Sequence, residues 1–205
     1  MGTRPIPRVI GLYSSVPQCG KTTIANWIRT SPKWRAVKFA TPLKNMIRQL
    51  LRDFGTTPEN IEHFVEGEGK HESLMQFGER TTRYLMQTLG TEWGRETIDS
   101  DIWVNAAMSQ VLRLLDRGFN VVIDDMRFPN EYDGIKEIYE TEVWRVERPS
   151  ARVEEGHESE GQLDDHDFDL LILNDTDSVD GFKVAADRQI TRHFNPGVNL
   201  LLAKG

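Results

Sequence analysis

Short apolar runs alternate along the chain with longer stretches of mixed polarity. Each run is of strand length, and several are almost continuously apolar, as parallel strands buried on both faces are. The runs lie at residues 9–13, 37–40, 121–125, 142–146 and 168–173. Because they alternate with stretches of helical character, the pattern predicts an α/β fold whose parallel sheet is covered by helices on both faces.

The stretches between the runs carry apolar residues at helical spacing and end at helix-stop signals. Gly90 and Gly118 are the expected stops of two helices, and Thr41 before Pro42 is an expected helix start. Helices are predicted over residues 21–29, 42–53, 74–89, 101–117, 129–139 and 178–193. The polar segment 56–72 is predicted to be a loop with one short helix.

All predicted elements fit a single domain over residues 1–205, a length sufficient for a full hydrophobic core. The helices of about residues 41–118 lie between the second and third strands, and we interpret them as a helical insertion. A charged, glycine-containing segment of about residues 149–167 is interpreted as a mobile lid. The alternative for that segment is a solvated acidic loop without a role.

The composition limits the functions of the chain. It carries 25 Lys and Arg against 32 Asp and Glu, a formal net charge of −7. Since sequence-independent nucleic-acid binding needs a phosphate-neutralising surface, we expect no direct nucleic-acid binding and only a local basic pocket. Cys19 is the single cysteine, which suits a reducing cytoplasm. Neither a signal peptide nor a membrane-spanning apolar run is recognised, so a cytoplasmic location without membrane contact is expected.

The turn after the first apolar run carries most of a phosphate-binding P-loop, whose pattern is G-x-x-x-x-G-K-[ST]. Gly20, Lys21 and Thr22 match the end of the pattern, whereas Ser15 stands at its first glycine. Lys21 would reach the terminal phosphates of ATP, and the Thr22 hydroxyl would hold Mg²⁺. The loop residues expected to bind ATP are Ser15, Gln18, Cys19, Gly20, Lys21, Thr22 and Thr23. The alternative is an ordinary strand-to-helix turn with a surface lysine.

Two carboxylates, Asp124 and Asp125, end the apolar run of residues 121–125. A P-loop enzyme needs an acidic residue at the end of a neighbouring strand to hold Mg²⁺ through its water shell. The alternative is a pair of solvated carboxylates at a strand end. The two motifs together favour a P-loop protein more strongly than either does alone.

Residues 125–131 have the sequence Asp-Met-Arg-Phe-Pro-Asn-Glu. This block resembles the D-x-R-F-x-N-E signature of the deoxynucleoside monophosphate kinases of tailed phages. Shorter blocks similar to the same family lie at residues 39–44, 89–95, 101–103, 157–160 and 174–175. They occur in the family's order, so the resemblance covers nearly the whole chain.

The resemblance implies a fold and a reaction. The fold is the three-layer P-loop NTPase fold, with a five-stranded parallel sheet of order 2-3-1-4-5 and a helical insertion that binds the acceptor. The reaction is ATP-dependent phosphorylation of a deoxynucleoside monophosphate to its diphosphate, with Mg²⁺, for phage DNA synthesis. Relatives form dimers, so the helices of residues 74–117 are where a homodimer interface is expected. Ser15 departs from the strict motif and puts the geometry of the loop in question.

The resemblance also suggests roles for individual residues. Asp125, which aligns with the signature aspartate, is expected to hold the metal's water shell, with Asp124 as second choice. Arg127 is expected on the acceptor's phosphate and Glu131 on its sugar or base. The other residues expected to bind the acceptor are Lys44, Arg83, Gln87 and Arg95. Asn174, after the last strand, is expected to border the adenine of ATP.

Arg148 and Arg152, at the start of the predicted lid, are expected to act as arginine fingers on the transferring phosphoryl group. The predicted catalytic residues are thus Lys21, Asp125, Arg127, Arg148 and Arg152. Two other functions stay open. One is a P-loop kinase for another small acceptor, such as a nucleoside or a coenzyme precursor, and the other is a nucleotide-binding module without transfer activity.

Overall fold

The computed structural model of the chain describes residues 6–151 and 161–195. Its main sheet is parallel and has five strands: β1 Val9–Tyr13, β2 Trp34–Val37, β3 Asn120–Ile123, β4 Thr141–Glu147 and β5 Leu170–Leu173. Across the sheet the strands follow one another as β2-β3-β1-β4-β5. This confirms the predicted parallel sheet of order 2-3-1-4-5.

The α-helices are α1 Lys21–Ile28, α2 Thr41–Asp53, α3 Pro58–Val65, α4 Thr82–Thr88, α5 Ile102–Asp116, α6 Pro129–Lys136 and α7 Val179–Phe194. A wider π-helical segment, Leu89–Ile98, follows α4 directly. Short 3₁₀ turns cover Glu68–His71 and Met75–Phe77, and Ser73–Leu74 pairs with Arg80–Thr81 as a small antiparallel hairpin. Within the described ranges, no helix is long and apolar enough to cross a membrane.

The chain forms two compact units. Residues 1–38 and 110–205 make up the first, which we call the sheet unit because it holds the five strands with α1, α6 and α7. Residues 39–109 make up the second, which we call the insertion unit and which holds α2, α3, α4 and the π-helical segment. The insertion unit spans residues 39–109, whereas the helical insertion was predicted for about residues 41–118, and its role as an insertion that binds the acceptor stays a prediction.

The sheet unit is built around strands that are buried on both faces. On one face, α1 and α7 cover the sheet and enclose a core of Ile10, Leu12, Ile24, Ala25, Ile28, Val122, Trp144, Val146, Ile172, Phe182, Ala186 and Ile190. On the other face, α6 approaches β1 so closely that a Cβ added at Gly11 would lie 3.1 Å from Ile135 Cδ1. Helices therefore cover both faces, as the continuous apolar runs predicted.

The insertion unit has a separate small core. Its buried members come from α2, α3 and the hairpin and are Ile47, Leu51, Ile61, Val65 and Leu74. Their helical spacing on α2, at positions i and i+4, is the spacing that places side chains on one face of a helix. The amphipathic pattern of residues 42–53 thus predicted the helix, which the structure places at Thr41–Asp53.

The second predicted strand was placed wrongly. The strand observed is Trp34–Val37, and its register with β3 pairs Trp34 with Asn120 and Val37 with Ile123. Residues 38–40, which were predicted to continue the strand, lie beyond its end. The reason is that β2 is an edge strand with half-exposed side chains, so it lacks the continuous apolar run that marks the inner strands.

The single helix predicted over residues 74–89 is also wrong. Left-handed backbone angles at Gly78 (φ 61°) and Glu79 (φ 62°) turn the chain back and create the hairpin before α4 begins. Gly90 does not end the helix, because the chain continues there in the π-helical segment. The Trp103 indole N–H donates to the carbonyl oxygen of Gly90 at 2.8 Å. The spacing of apolar residues along the sequence cannot predict a contact of this kind.

Candidate active site

The phosphate loop connects the carboxyl end of β1 to the first turn of α1. Its backbone has positive φ angles at Gln18 (60°) and Gly20 (111°). Gly20 is the N-cap of α1 and carries no side chain that could occupy the first N–H groups of the helix. Lys21 is half-buried and Thr22 is exposed at the start of that helix. A glycine-bearing turn at a helix N-terminus is the kind of site that binds phosphate.

Gly20 is required by both backbone and packing. A φ of 111° is unfavourable for any residue with a Cβ. In addition, a Cβ at this position would lie 2.3 Å from Cε1 of Phe182, whose ring is buried beneath the loop. Packing against Phe182 of α7 therefore requires glycine at this position of the motif, in addition to any requirement that a bound ligand would impose.

Asn174 supports the phosphate loop from the end of β5. Its Nδ2 donates to the carbonyl oxygen of Cys19 at 3.0 Å, and its own N–H donates to the carbonyl of Glu147 at 2.7 Å. Asn174 is 6% exposed and Cys19 is 1% exposed, so the amide is directed at the loop backbone from within the protein. The expected contact of Asn174 with adenine stays a prediction; its observed role is to hold the loop.

The two carboxylates after β3 differ in their surroundings. Asp124 is buried, and its Oδ1 lies 3.1 Å from the Lys38 ammonium, which follows β2. Asp125 is half-buried. Since β3 lies between β2 and β1 in the sheet, both carboxylates lie at the carboxyl edge where the phosphate loop begins. Lys38 also donates to Asp124 Oδ2 at 3.4 Å, so this buried carboxylate is already paired with a cation of the protein.

The turn that follows the carboxylates is held by Glu131. This residue is 3% exposed, and its Oε2 accepts hydrogen bonds from the N–H groups of Arg127 at 2.7 Å and Phe128 at 3.1 Å. The Arg127 side chain is exposed at the same edge of the sheet. Glu131 thus fixes the backbone that presents Arg127, while its expected contact with sugar or base stays a prediction.

The remaining residues predicted to bind the acceptor all lie in the insertion unit. Lys44 on α2 forms an ion pair with Glu66 at 2.6 Å. Arg83 and Gln87 are exposed on α4, and Arg95 in the π-helical segment donates to the carbonyl of Ser100 at 3.3 Å. Their binding roles stay predictions, since Lys44 and Arg95 already have protein partners and Arg83 and Gln87 point to solvent.

The ion pair of Lys44 belongs to a larger charged cluster. Arg48 contacts Glu62 through Nε at 2.8 Å and Glu66 through Nη2 at 2.7 Å. Burial raises the pKa of Glu66, but the nearby Lys44 ammonium and Arg48 guanidinium outweigh it and hold that pKa below its usual value. The hydrogen bonds from Arg48 likewise lower the pKa of Glu62. These side chains therefore stay ionised and connect α2 to α3.

The predicted lid is described only in part. Arg148 is half-buried at its start, whereas Arg152 lies outside the described residues. Residues 161–169, which we call the return segment, are anchored to the sheet unit: Leu163 is fully buried, and the Tyr132 hydroxyl donates to the Asp167 carbonyl at 2.7 Å. The described end of the predicted lid is therefore packed against the protein, and a mobile lid stays a prediction for the rest.

Two residues with clear contacts at this edge had no individual role in the sequence interpretation. Lys38 was placed inside a strand, so its position beside Asp124 was missed. Arg145 has no predicted role, because the sequence gives no sign of its partners. One of these is Asp164, which also accepts from the Tyr13 hydroxyl at 3.0 Å. Burial, followed by this hydrogen bond, raises the pKa of Tyr13 to about 12.

The order of the sheet and the loop between β1 and α1 together define the P-loop fold, which binds nucleotide phosphates. A family model described as deoxynucleotide monophosphate kinase matches residues 59–184, more than half of the chain. The chain therefore belongs to the deoxynucleotide monophosphate kinase family. The match begins after the phosphate loop, so loop and family match are separate observations.

Among solved structures, a dephospho-CoA kinase from Campylobacter jejuni aligns with this chain at 13% sequence identity and a TM-score of 0.45. The alignment covers 93% of this chain and 99% of that one. No curated protein sequence matches the chain.

Proposed function

We propose that this protein transfers the γ-phosphoryl group of ATP to a deoxynucleoside monophosphate, giving ADP and the deoxynucleoside diphosphate. The observation that carries the proposal is the placement of Arg127. Its side chain is exposed beside the carboxylates at the edge of the sheet that also bears the phosphate loop, and Glu131 holds its turn. A cation on a rigid turn at that edge suits the phosphate of a second nucleotide.

The donor side of the reaction follows from the loop. N–H groups at the start of α1 would hold the phosphates of ATP, and the Lys21 ammonium would neutralise charge on the group being transferred. Asn174 and Gly20 keep that backbone in place. In the transfer, the bond from the γ-phosphorus to the β-phosphate oxygen breaks, while a bond forms to a phosphate oxygen of the acceptor.

Mg²⁺ fits the donor set at this edge of the sheet. The oxygens at this edge are the Thr22 hydroxyl, the half-buried Asp125 carboxylate and the Asp124 carboxylate, which is paired with Lys38. Mg²⁺ in phosphoryl-transfer sites binds one or two carboxylates, water and substrate phosphates rather than a cage of protein ligands. We assign its water shell to Asp125, with Asp124 beside it, and bound Mg²⁺ would supply charge neutralisation.

On the acceptor side, we assign Arg127 to the acceptor phosphate. We further assign Lys44, Arg83, Gln87 and Arg95 to the acceptor, and Arg148 with Arg152 to the transferring group. For Lys44 this assignment requires that its ion pair with Glu66 open when the acceptor binds. We also propose that the protein works in the cytoplasm of a phage-infected host, supplies precursors for DNA replication and binds no nucleic acid directly.

The test is a panel of acceptors incubated with MgATP and read as ADP release. It includes the four deoxynucleoside monophosphates, the matching ribonucleotides, nucleosides and coenzyme precursors. ADP release that depends on a deoxynucleoside monophosphate supports the proposal. Turnover of another acceptor alone would replace it with a different P-loop kinase, and ATP binding without acceptor-dependent turnover would leave a non-catalytic nucleotide-binding module.

The role of Arg127 has its own test. Arg127→Ala should raise the KM for the deoxynucleotide about tenfold or more while changing MgATP binding little, since a hydrogen bond to a charged group contributes about 1.5–3 kcal/mol. Arg35→Ala is a matched control, because Arg35 is an exposed arginine on β2 that stacks on Phe119. A larger effect on ATP binding than on the acceptor would reject the assignment.

A further inference from the structure

Ser15 stands where the strict P-loop pattern has its first glycine, and the structure shows what replaces that glycine. Within the loop, positive φ angles fall at Gln18 and Gly20 and not at Ser15, so the backbone at Ser15 does not need glycine. Its side chain is used instead: the Ser15 hydroxyl accepts from Nη2 of Arg145 at 3.4 Å. The first residue of the loop is therefore tied to β4.

Arg145 has hydrogen-bond or ion-pair partners at both terminal nitrogens of its guanidinium, whereas its Nε is within ion-pair distance of a carboxylate but makes no hydrogen bond. Nε lies 2.6 Å from Glu147 Oε1, Nη1 donates to the Asp164 carbonyl at 3.1 Å, and Nη2 lies 3.1 Å from Asp164 Oδ1. Its side chain is 19% exposed. Because the guanidinium is planar and rigid, partners at its two terminal nitrogens fix its orientation in a way that a lysine ammonium cannot reproduce.

The far partner, Asp164, belongs to the return segment and is itself anchored. The Tyr13 hydroxyl donates to Asp164 Oδ1, and the Tyr13 ring stacks on Phe168 with centroids 5.4 Å apart. Arg145 lies 5.8 Å and 5.6 Å from these two ring centroids. A continuous set of contacts thus runs from the return segment through Arg145 to the start of the phosphate loop.

We propose that Arg145 is a positioning residue for the phosphate loop. It holds Ser15 from an anchor in the return segment, so that the affinity of the loop for MgATP depends on the Arg145–Asp164 contact. The inference rests on the proposed function only in assuming that the loop binds ATP. Arg145 touches no reacting atom in this assignment and acts through Ser15 alone.

The test is a double-mutant cycle read as MgATP affinity by calorimetry without an acceptor. Arg145→Lys and Ser15→Ala should each raise the dissociation constant about 2- to 10-fold, the range of one hydrogen bond. The double variant should be no weaker than the weaker single variant, since both remove the same contact. Asp164→Asn should weaken MgATP binding in the wild-type background and have no further effect when Ser15 is alanine.

Lys136→Met is the matched control. Lys136 forms an ion pair with Asp169, also in the return segment, at 2.9 Å, but does not contact Arg145 or the loop. Its substitution should leave the MgATP dissociation constant unchanged. Unfolding temperatures measured on all variants show whether any loss of affinity follows from a loss of stability.

Two results would overturn the inference: an unchanged dissociation constant in Arg145→Lys, whatever its unfolding temperature, or additive effects in the double variant. If Arg145→Lys does not fold, unchanged affinity in Ser15→Ala overturns it instead. Failure of every deoxynucleotide in the acceptor panel would reject the proposed function but leave this result intact, because binding is measured without an acceptor.

Discussion

Replacing Gly20 with alanine isolates the physical requirement at the centre of the phosphate loop. The backbone there has φ 111°, and a Cβ would lie 2.3 Å from Cε1 of the buried Phe182 ring. A strained backbone angle costs about 1–3 kcal/mol for a residue other than glycine. Forcing a methyl group into packed atoms costs about 1–3 kcal/mol more. We therefore expect Gly20→Ala to lower the free energy of unfolding by about 4 kcal/mol.

The chain offers controls for each contribution. Gly118 has φ 80° and no heavy atom within 4 Å of an added Cβ, so Gly118→Ala should show the backbone contribution alone, about 1–2 kcal/mol. In a Phe182→Leu background, the ring atoms that meet the new methyl group are gone. In that background, Gly20→Ala should lower the free energy of unfolding by an amount closer to that measured for Gly118→Ala.

Urea denaturation followed by circular dichroism measures these differences, with an unchanged slope m as the condition for comparing midpoints. A loss in Gly20→Ala no greater than that in Gly118→Ala would refute the steric argument. An undiminished loss in the Phe182→Leu background would refute the assignment of the clash to that ring.

Three further predictions concern the loop and its supports. Lys21→Ala should lower kcat about 100- to 1,000-fold in the acceptor assay while circular dichroism shows the fold intact; full activity would reject the P-loop role. Asn174→Ala should lower the free energy of unfolding, measured in urea, by about 1–3 kcal/mol, because the Cys19 carbonyl loses its hydrogen bond. Asn174→Asp should lower it further, because a carboxylate oxygen would then face that carbonyl oxygen. A stability equal to that of the wild type would contradict the role of Asn174 in holding the loop. Tyr13 has a folded-state pKa of about 12 against an ordinary 10.0, so its contribution to stability is complete below about pH 10 and is lost as pH rises towards 12. Between pH 10 and pH 12, the free energy of unfolding of a Tyr13→Phe variant should therefore fall less than that of the wild type. If both fall equally with pH, Tyr13 is not the source of the pH dependence.

The sequence predicted the sheet well because its inner strands are buried on both faces. Such strands must be apolar at nearly every position, so β1 and β3 appear as runs that need no tertiary information. The edge strand β2 has half-exposed side chains, so it lacks such an apolar run, and its position was predicted wrongly. The hairpin before α4 was missed because its left-handed turn at Gly78 and Glu79 interrupts a pattern that otherwise fits a helix.

The site was predictable only where a residue type acts locally. Gly20 and Lys21 follow a strand and start a helix, so their place in the chain already predicts their geometry. Glu131 shows where such inference stops. A carboxylate three residues into a helix after Phe128 can contact a ligand or accept from the turn's own N–H groups, and the structure shows the second.

The order of residues along the chain was enough to predict an α/β fold with a phosphate loop, carboxylates at the end of a neighbouring strand, and the family signature from Asp125 to Glu131. The side chains that support the loop became apparent only in the folded protein. Arg145 and Ser15 are 130 residues apart, and Asn174 and Cys19 are 155 apart. Their contacts follow from the parallel order of β1, β4 and β5, which brings the carboxyl ends of distant strands together. No local sequence pattern predicts these contacts, because strand order is a property of the whole sheet.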